Sequence, residues 1–146
     1  MVNIVYADNL KQTGSILRIA TRELVDSVFD RAIYYTKMKR SWNQGHVIVF
    51  VSKTQEGDAF VGYGIVHAVS SKDDLCAEEQ DECRRGGWEY AIEFKYVKRF
   101  VKPLLTKHTF FKDTNVRGRC FHGFRLSSEQ VKMLLSLRDS GFTKTF

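Results

Sequence analysis

Trp88, Tyr90, Ile92, Phe94 and Tyr96 fall on every second position, with Glu89, Glu93 and Lys95 between them. A side-chain period of two puts all five on one face of an extended strand and the charges on the other, so this segment requires a sheet with one wet side. Trp88 stands at its start, where an indole serves either as the edge of a core or as a wall for stacking a base. His46 to Val51 is a different kind of strand, nearly all apolar and rich in β-branched residues, and so suited to burial on both faces. Glu56-Gly57-Asp58 supplies a turn, and Ala59 to Val69 follows as the hairpin partner. Simple alternation places Val61, Tyr63, Ile65, His67 and Val69 on one face of that partner, and Gly62 and Gly64 on the other. Two such glycines admit a close approach by a packed helix, a barrel bend or a ligand.

The remaining segments fill in the architecture. Val2 to Tyr6 reads as a short strand and Asp8 to Gly14 as a polar loop. From Ser15 to Ile33 apolar residues recur at three- and four-residue steps, which predicts one or two helices with Ser15 as the cap. Lys37 to Gln44 is a basic and polar loop. The only proline, Pro103, predicts a turn or short helix. Arg117 to Leu126 reads as a last strand with Arg117, Arg119, Phe121 and Arg125 facing one way. Ser127 followed by Gln130 forms a capping box for a helix through Leu137 that Gly141 can end. About six strands with two or three flanking helices describe an α+β fold with a mixed, strongly curved sheet that curls into a small barrel. The 146 residues, 43% apolar, suffice for one domain spanning 1–146.

Charge points to a partner. Between Lys95 and Arg125 nine cationic side chains face one acid, Asp113, a local surplus of eight against a net +6 for the whole chain. Tyr96, Phe100, Phe110, Phe111, Phe121 and Phe124 run through the same stretch, so cations for phosphates alternate with flat faces for bases. Lys39, Arg40, Lys98, Lys102, Arg117 and Arg119 are the candidate contacts to a nucleic-acid backbone. By contrast, Lys72 to Cys83 holds six acids and one lysine, with little apolar content to anchor it, and reads as an exposed, mobile loop. An acidic segment and a basic face together orient an anionic partner before contact.

Other functions find less support. No apolar run approaches the ~20 residues that span a bilayer, and Met1 to Tyr6 lacks the charged-then-apolar build of a secretory signal. Three cysteines do not make a disulfide framework, so free thiols in the cytoplasm are expected. Cys76 and Cys83 are too far apart for a common zinc knuckle, and neither a metal nor a cofactor is expected. Cys120 and His122 share a predicted strand face as a thiolate and base pair, without a third group or an oxyanion hole. A non-catalytic binding module is therefore expected. An alternative is a protein–protein interaction module that docks through the acidic loop and basic face.

Several motifs in this order resemble a known group. Gly45-His46-Val47-Ile48-Val49-Phe50, then Phe60-Val61-Gly62-Tyr63-Gly64-Ile65-Val66, Trp88 opening a strand, and Lys98-Arg99-Phe100-Val101-Lys102-Pro103 are similar to the EVE and YTH domains of the PUA-like superfamily. Arg119 through Leu126, followed by Ser127-Ser128-Glu129-Gln130 and an apolar helix, resembles the end of a YTH domain. The resemblance implies a pseudo-barrel that takes a modified base, such as methylated adenine or cytosine, into an aromatic pocket of RNA- or DNA-binding type. It assigns Asp8 and Asn9 to the loop that reads the base, Trp88 to a cage wall, and Arg119 to a phosphate contact. Where the YTH pattern has a Trp followed by small polar residues, this chain has Ile19-Ala20-Thr21; where an Asp follows the arginine, it has Cys120. Thr21 is kept in the pocket, and Trp42, Tyr6 or Tyr63 can supply another wall.

Overall fold

The computed structural model describes residues 13–143, with side chains through Leu137. Val2 to Tyr6, Asp8 and Asn9 lie outside the described residues. The elements in chain order are β1 (Gly14–Arg18), α1 (Arg22–Arg31), β2 (Ile33–Thr36), β3 (Val47–Thr54), β4 (Gly57–Ser71), α2 (Ala77–Gly86), β5 (Tyr90–Leu105), β6 (Arg125–Leu126) and α3 (Ser128–Thr143). The strands form one mixed sheet in the order β2-β5-β4-β3-β1-β6, with β1 parallel to β3 and every other pairing antiparallel. Among the described residues the sheet is not closed, with β2 and β6 at its edges.

β3 occupies the centre and behaves as its composition requires. Val47, Val49 and Val51 face a cluster with Ile16, Phe60, Phe111, Phe121, Val131 and Leu134, while Ile48 and Phe50 face another with Leu17, Val25, Val28, Ile92 and Phe94. The first cluster is roofed by α3 and the turns after β5, the second by α1.

β4 departs from simple alternation. Its register against β5 shifts between Phe60 and Gly62 and again around Val66, so Val61, Val66 and Val69 join the α1 side whereas Tyr63 and Ile65 join the α3 side. Each bulge adds an unpaired residue and increases local twist, which is how a strand of 15 residues follows a bent sheet. The two glycines are explained by neighbours: a Cβ on Gly62 would strike the Phe29 ring of α1 and the Lys98 carbonyl, and one on Gly64 would meet the Phe94 ring at 2.8 Å. A packed helix and sheet neighbours, then, fill that space. Pro103 lies within β5 and starts no helix; it sits where Leu104 pairs Phe60 but the next partner of β4 is Arg99, so the chain around it bulges out of the ladder.

Three local expectations are corrected. Gly14–Arg18 is a strand, with Ser15 buried between Gly14 and Ile16, and the helix starts later under a Thr21 cap whose Oγ1 accepts from the Leu24 amide. The acidic segment is ordered: Lys72–Asp74 forms a 3-10 turn and Ala77–Gly86 a helix. Glu82 explains this, since both of its oxygens accept from the Arg31 guanidinium at 2.7 and 2.9 Å and its Oε1 from the Tyr35 hydroxyl at 3.2 Å. That pairing holds the Glu82 carboxyl below its usual range, while burial pushes the Tyr35 phenol up to about 12. Finally, Arg117–Leu126 is mostly not a strand; Gly118–Phe121 is a 3-10 turn and only Arg125–Leu126 pairs with β1. The Ser127–Gln130 capping box forms as predicted, with reciprocal bonds of 2.9 and 3.1 Å, and the helix it opens runs past Gly141 to Thr143. No helix among the described residues is long and apolar enough to cross a membrane.

Candidate nucleic-acid interface

The loop between β2 and β3 and the short strand β6 meet at the end of the sheet where β1 and β3 begin. Between them opens a groove of about 600 Å³, lined by Lys39, Arg40, Trp42, Asn43, Gln44, His46 and Arg125 among others, with no carboxylate in its lining among the described residues. Three permanent cations therefore face one cavity, and no carboxylate of the described residues lines it with them.

Arg40 lies against Gly123. Gly123 adopts φ +81°, a left-handed conformation that favours glycine, and an Arg40 guanidinium nitrogen would lie 2.9 Å from a Cβ there. The guanidinium carbon lies 5.4 Å from the Trp42 ring centre, a cation–π distance. Arg40 Nε is buried and has no hydrogen-bond partner among the described residues. Trp42 in turn stacks on His46, with ring centres 5.4 Å apart and planes at 14°.

His46 ties the loop to the sheet. Its Nε2 and the buried Ser15 Oγ share a 3.0 Å hydrogen bond, and its amide donates to the Asn43 carbonyl at 3.0 Å across a turn containing Gly45, φ +93°. Burial, and secondarily the charge of Arg125, push the imidazole down to about 4. At neutral pH the ring is uncharged, so the groove's positive charge comes from Lys39, Arg40 and Arg125.

The neighbouring segment is held by different contacts. The Arg18 amide donates to His122 Nδ1 at 3.2 Å, and the Gly118 amide to Asp58 Oδ2 at 3.1 Å, with Arg18 and Asp58 3.8 Å apart. Burial, then the charge of Arg40, lowers the His122 imidazole. Cys120 is exposed on the 3-10 turn while the His122 ring faces β1, so the strand face these two were expected to share is not present.

The predicted site residues thus separate. Lys39, Arg40 and Trp42 come together in the groove. Arg117 and Arg119 are exposed beside it in sequence, on a turn and not on a common strand face. Lys98 and Lys102 are exposed on β5, outside the groove lining. Thr21 spends its hydroxyl on capping α1. Trp88 does not line the groove: it precedes β5, stacks on Tyr35 at 5.3 Å and 16°, and presses on Gly86, where a Cβ would strike its ring. Sequence reading left Arg125 and His46 out of the site. Arg125 was visible as part of the basic run, but nothing local marked His46, because Ser15 and Trp42 reach it only through the fold.

No protein-family model and no curated protein sequence matches the chain. Its fold is similar to solved structures at low identity. The YTH domain-containing protein mmi1 in complex with RNA aligns with TM-score 0.62 at 13% identity, covering 93% of this chain and 87% of that one. The ASCH protein from Zymomonas mobilis aligns with TM-score 0.60 at 11% identity over 88% of this chain and 96% of that one. The YTH domain of Zygosaccharomyces rouxii MRB1 in complex with N6-methyladenosine RNA gives 0.56 at 15%, over 87% and 86%. The chain therefore has the fold shared by YTH and ASCH domains.

Proposed function

We propose that this protein binds single-stranded nucleic acid, RNA in the first instance, in the groove between the β2–β3 loop and β6. One observation carries the reading: Lys39, Arg40 and Arg125 line a single cavity beside the Trp42 indole, with no carboxylate among the described residues of its walls. Cations in that setting attract phosphate and release counterions, and an indole stacks on any base. Two of the similar folds were solved with RNA, which favours RNA over DNA.

The finer part of the proposal concerns the base. The cavity suits a nucleotide in size, and the Asn43 and Gln44 side-chain amides and the neutral His46 ring offer donors and acceptors for a base edge. A methyl group on an exocyclic amine would add apolar area against Trp42, favouring a modified base. The work is binding, with specificity arising because a wrong edge leaves polar groups unpaired.

The test is titration of labelled single-stranded RNA and DNA at several salt concentrations with the native protein and with Lys39→Gln combined with Arg125→Gln. Each lost phosphate contact should flatten the plot of log affinity against log salt by roughly 0.7 for a single strand, so the double variant should flatten it by roughly 1.4. An unchanged slope in a folded double variant rejects the groove. Paired oligonucleotides differing by one N6-methyl group test the finer part; equal affinities reject it.

A further inference from the structure

A second cavity borders the groove. It measures about 440 Å³ and is walled by Tyr63, Ile65, Lys95, Tyr96, Val131 and Leu135, between β4, β5 and α3. Gln44 and Gly45 line both cavities, so the turn before β3 is the sill between them. The two differ in character. The first is cationic with one indole, whereas the second has an apolar floor from β4 and α3, two tyrosines, and, among the described residues, Lys95 and Lys132 as its charged lining.

Tyr96 is turned away from the face that Phe94 shares with α1. Tyr96 pairs Ile65 and Phe94 pairs Val66, so Lys95 bulges between them and Tyr96 points to the α3 side, where 48% of it is exposed, while Phe94 is 7% exposed in the core. Its ring makes a T-shaped contact with Tyr63 at 6.3 Å, which orients it beside the cavity. An oriented, half-open aromatic over an apolar floor, flanked by lysines and with no carboxylate among the described lining residues, has the composition of a base-stacking platform on a phosphate path.

We propose that this cavity receives a second nucleotide of the strand whose neighbour occupies the Trp42 groove. The base stacks against Tyr96, the linking phosphate crosses the Gln44–Gly45 turn, and Lys95 meets the next phosphate. The inference rests on the function proposed above and adds a direction: the strand runs from the β6 side of the sheet end, across the start of β3, towards the junction of β5 with α3. The volume suits one nucleotide and the path is continuous with the first site, so the occupant is the same strand rather than a separate ligand.

The experiment is an abasic scan. A six-nucleotide RNA is prepared with one abasic position at a time and titrated against the native protein, Tyr96→Ala and Arg125→Gln, each confirmed folded by its melting curve. At one position, adjacent to the one that quenches Trp42, base removal should weaken binding to native protein roughly 5- to 100-fold and leave Tyr96→Ala unaffected, because the stacking partner is already gone. Arg125→Gln should weaken every oligonucleotide alike. If Arg125→Gln has that effect but every abasic penalty persists in Tyr96→Ala, the second site is overturned and the first stands. If Arg125→Gln has no effect, the groove itself fails. Should Tyr96→Ala not fold, Lys95→Gln replaces it: a salt slope flattened only for oligonucleotides long enough to span both cavities supports the site, and an unchanged slope at all lengths overturns it.

Discussion

His46 links stability to acidity with a sign that can be worked out beforehand. Its imidazole goes from an ordinary 6.5 to about 4 in the folded protein, chiefly through burial and then through Arg125. Because the folded value is the lower one, the unfolded chain takes the proton more readily. Stability is complete above about pH 6.5 and declines as pH falls towards 4. Each pH unit crossed corresponds to at most about 1.4 kcal/mol, and solvent around a half-buried ring roughly halves that. Lowering the pH from about 6.5 to 5 should therefore cost about 1 kcal/mol through His46 alone. Urea unfolding of native protein and His46→Gln between pH 5 and 7 isolates this contribution, since His122 and the carboxylates titrate in both. Binding should respond little. The folded ring stays mostly neutral down to about pH 5 and meets a base edge in that form, so RNA affinity should hold over the same window in native protein. Parallel stability profiles for the two proteins would refute the assignment of the shift to His46; an affinity that changes steeply with pH in native protein and not in His46→Gln would refute the placement of a neutral ring against the base.

Other substitutions separate packing from binding. Gly62→Ala should destabilise the fold by about 2 kcal/mol, seen as a lowered urea midpoint, because a Cβ there lies 2.5 Å from the Lys98 carbonyl oxygen and against the Phe29 ring, and backbone on that side cannot yield. Trp42→Ala should lower RNA affinity and, because the indole packs on the α1-side core and on His46, also the melting temperature, whereas Trp88→Ala, which strips the cover from Tyr35 and Gly86, should lower the melting temperature and leave RNA affinity of the folded protein intact. Fluorescence quenching by RNA should accordingly vanish with Trp42 and survive without Trp88. Cys76→Ser should be neutral on the exposed start of α2, but Cys83→Ser should cost about 1–2 kcal/mol by burying a hydroxyl at a fully covered position, read by thermal melting.

Features whose cause lies within a few residues of sequence were legible directly. The apolar run 47–51 that opens β3 reads as a strand buried on both faces, and Ser127 with Gln130 could close its capping box without help from the rest of the chain. The basic loop before β3 was equally plain, and with it Lys39, Arg40 and Trp42. Features decided by distant partners were not. Gly14–Arg18 carries helix-like spacing, but parallel pairing with β3 and burial on both sides override it. The acidic segment repels itself in isolation and becomes a helix because Arg31 and Tyr35, some 50 residues earlier, hold Glu82. Trp88 and Trp42 look equivalent as sequence, and only the sheet order places one on Tyr35 and the other in a cationic groove. His46 was the least legible of all: its stacking partner is four residues away, but the burial that chiefly depresses its pKa, the arginine that adds to it and the hydroxyl that binds it depend on β1 and β6, which only the assembled sheet brings to the same edge.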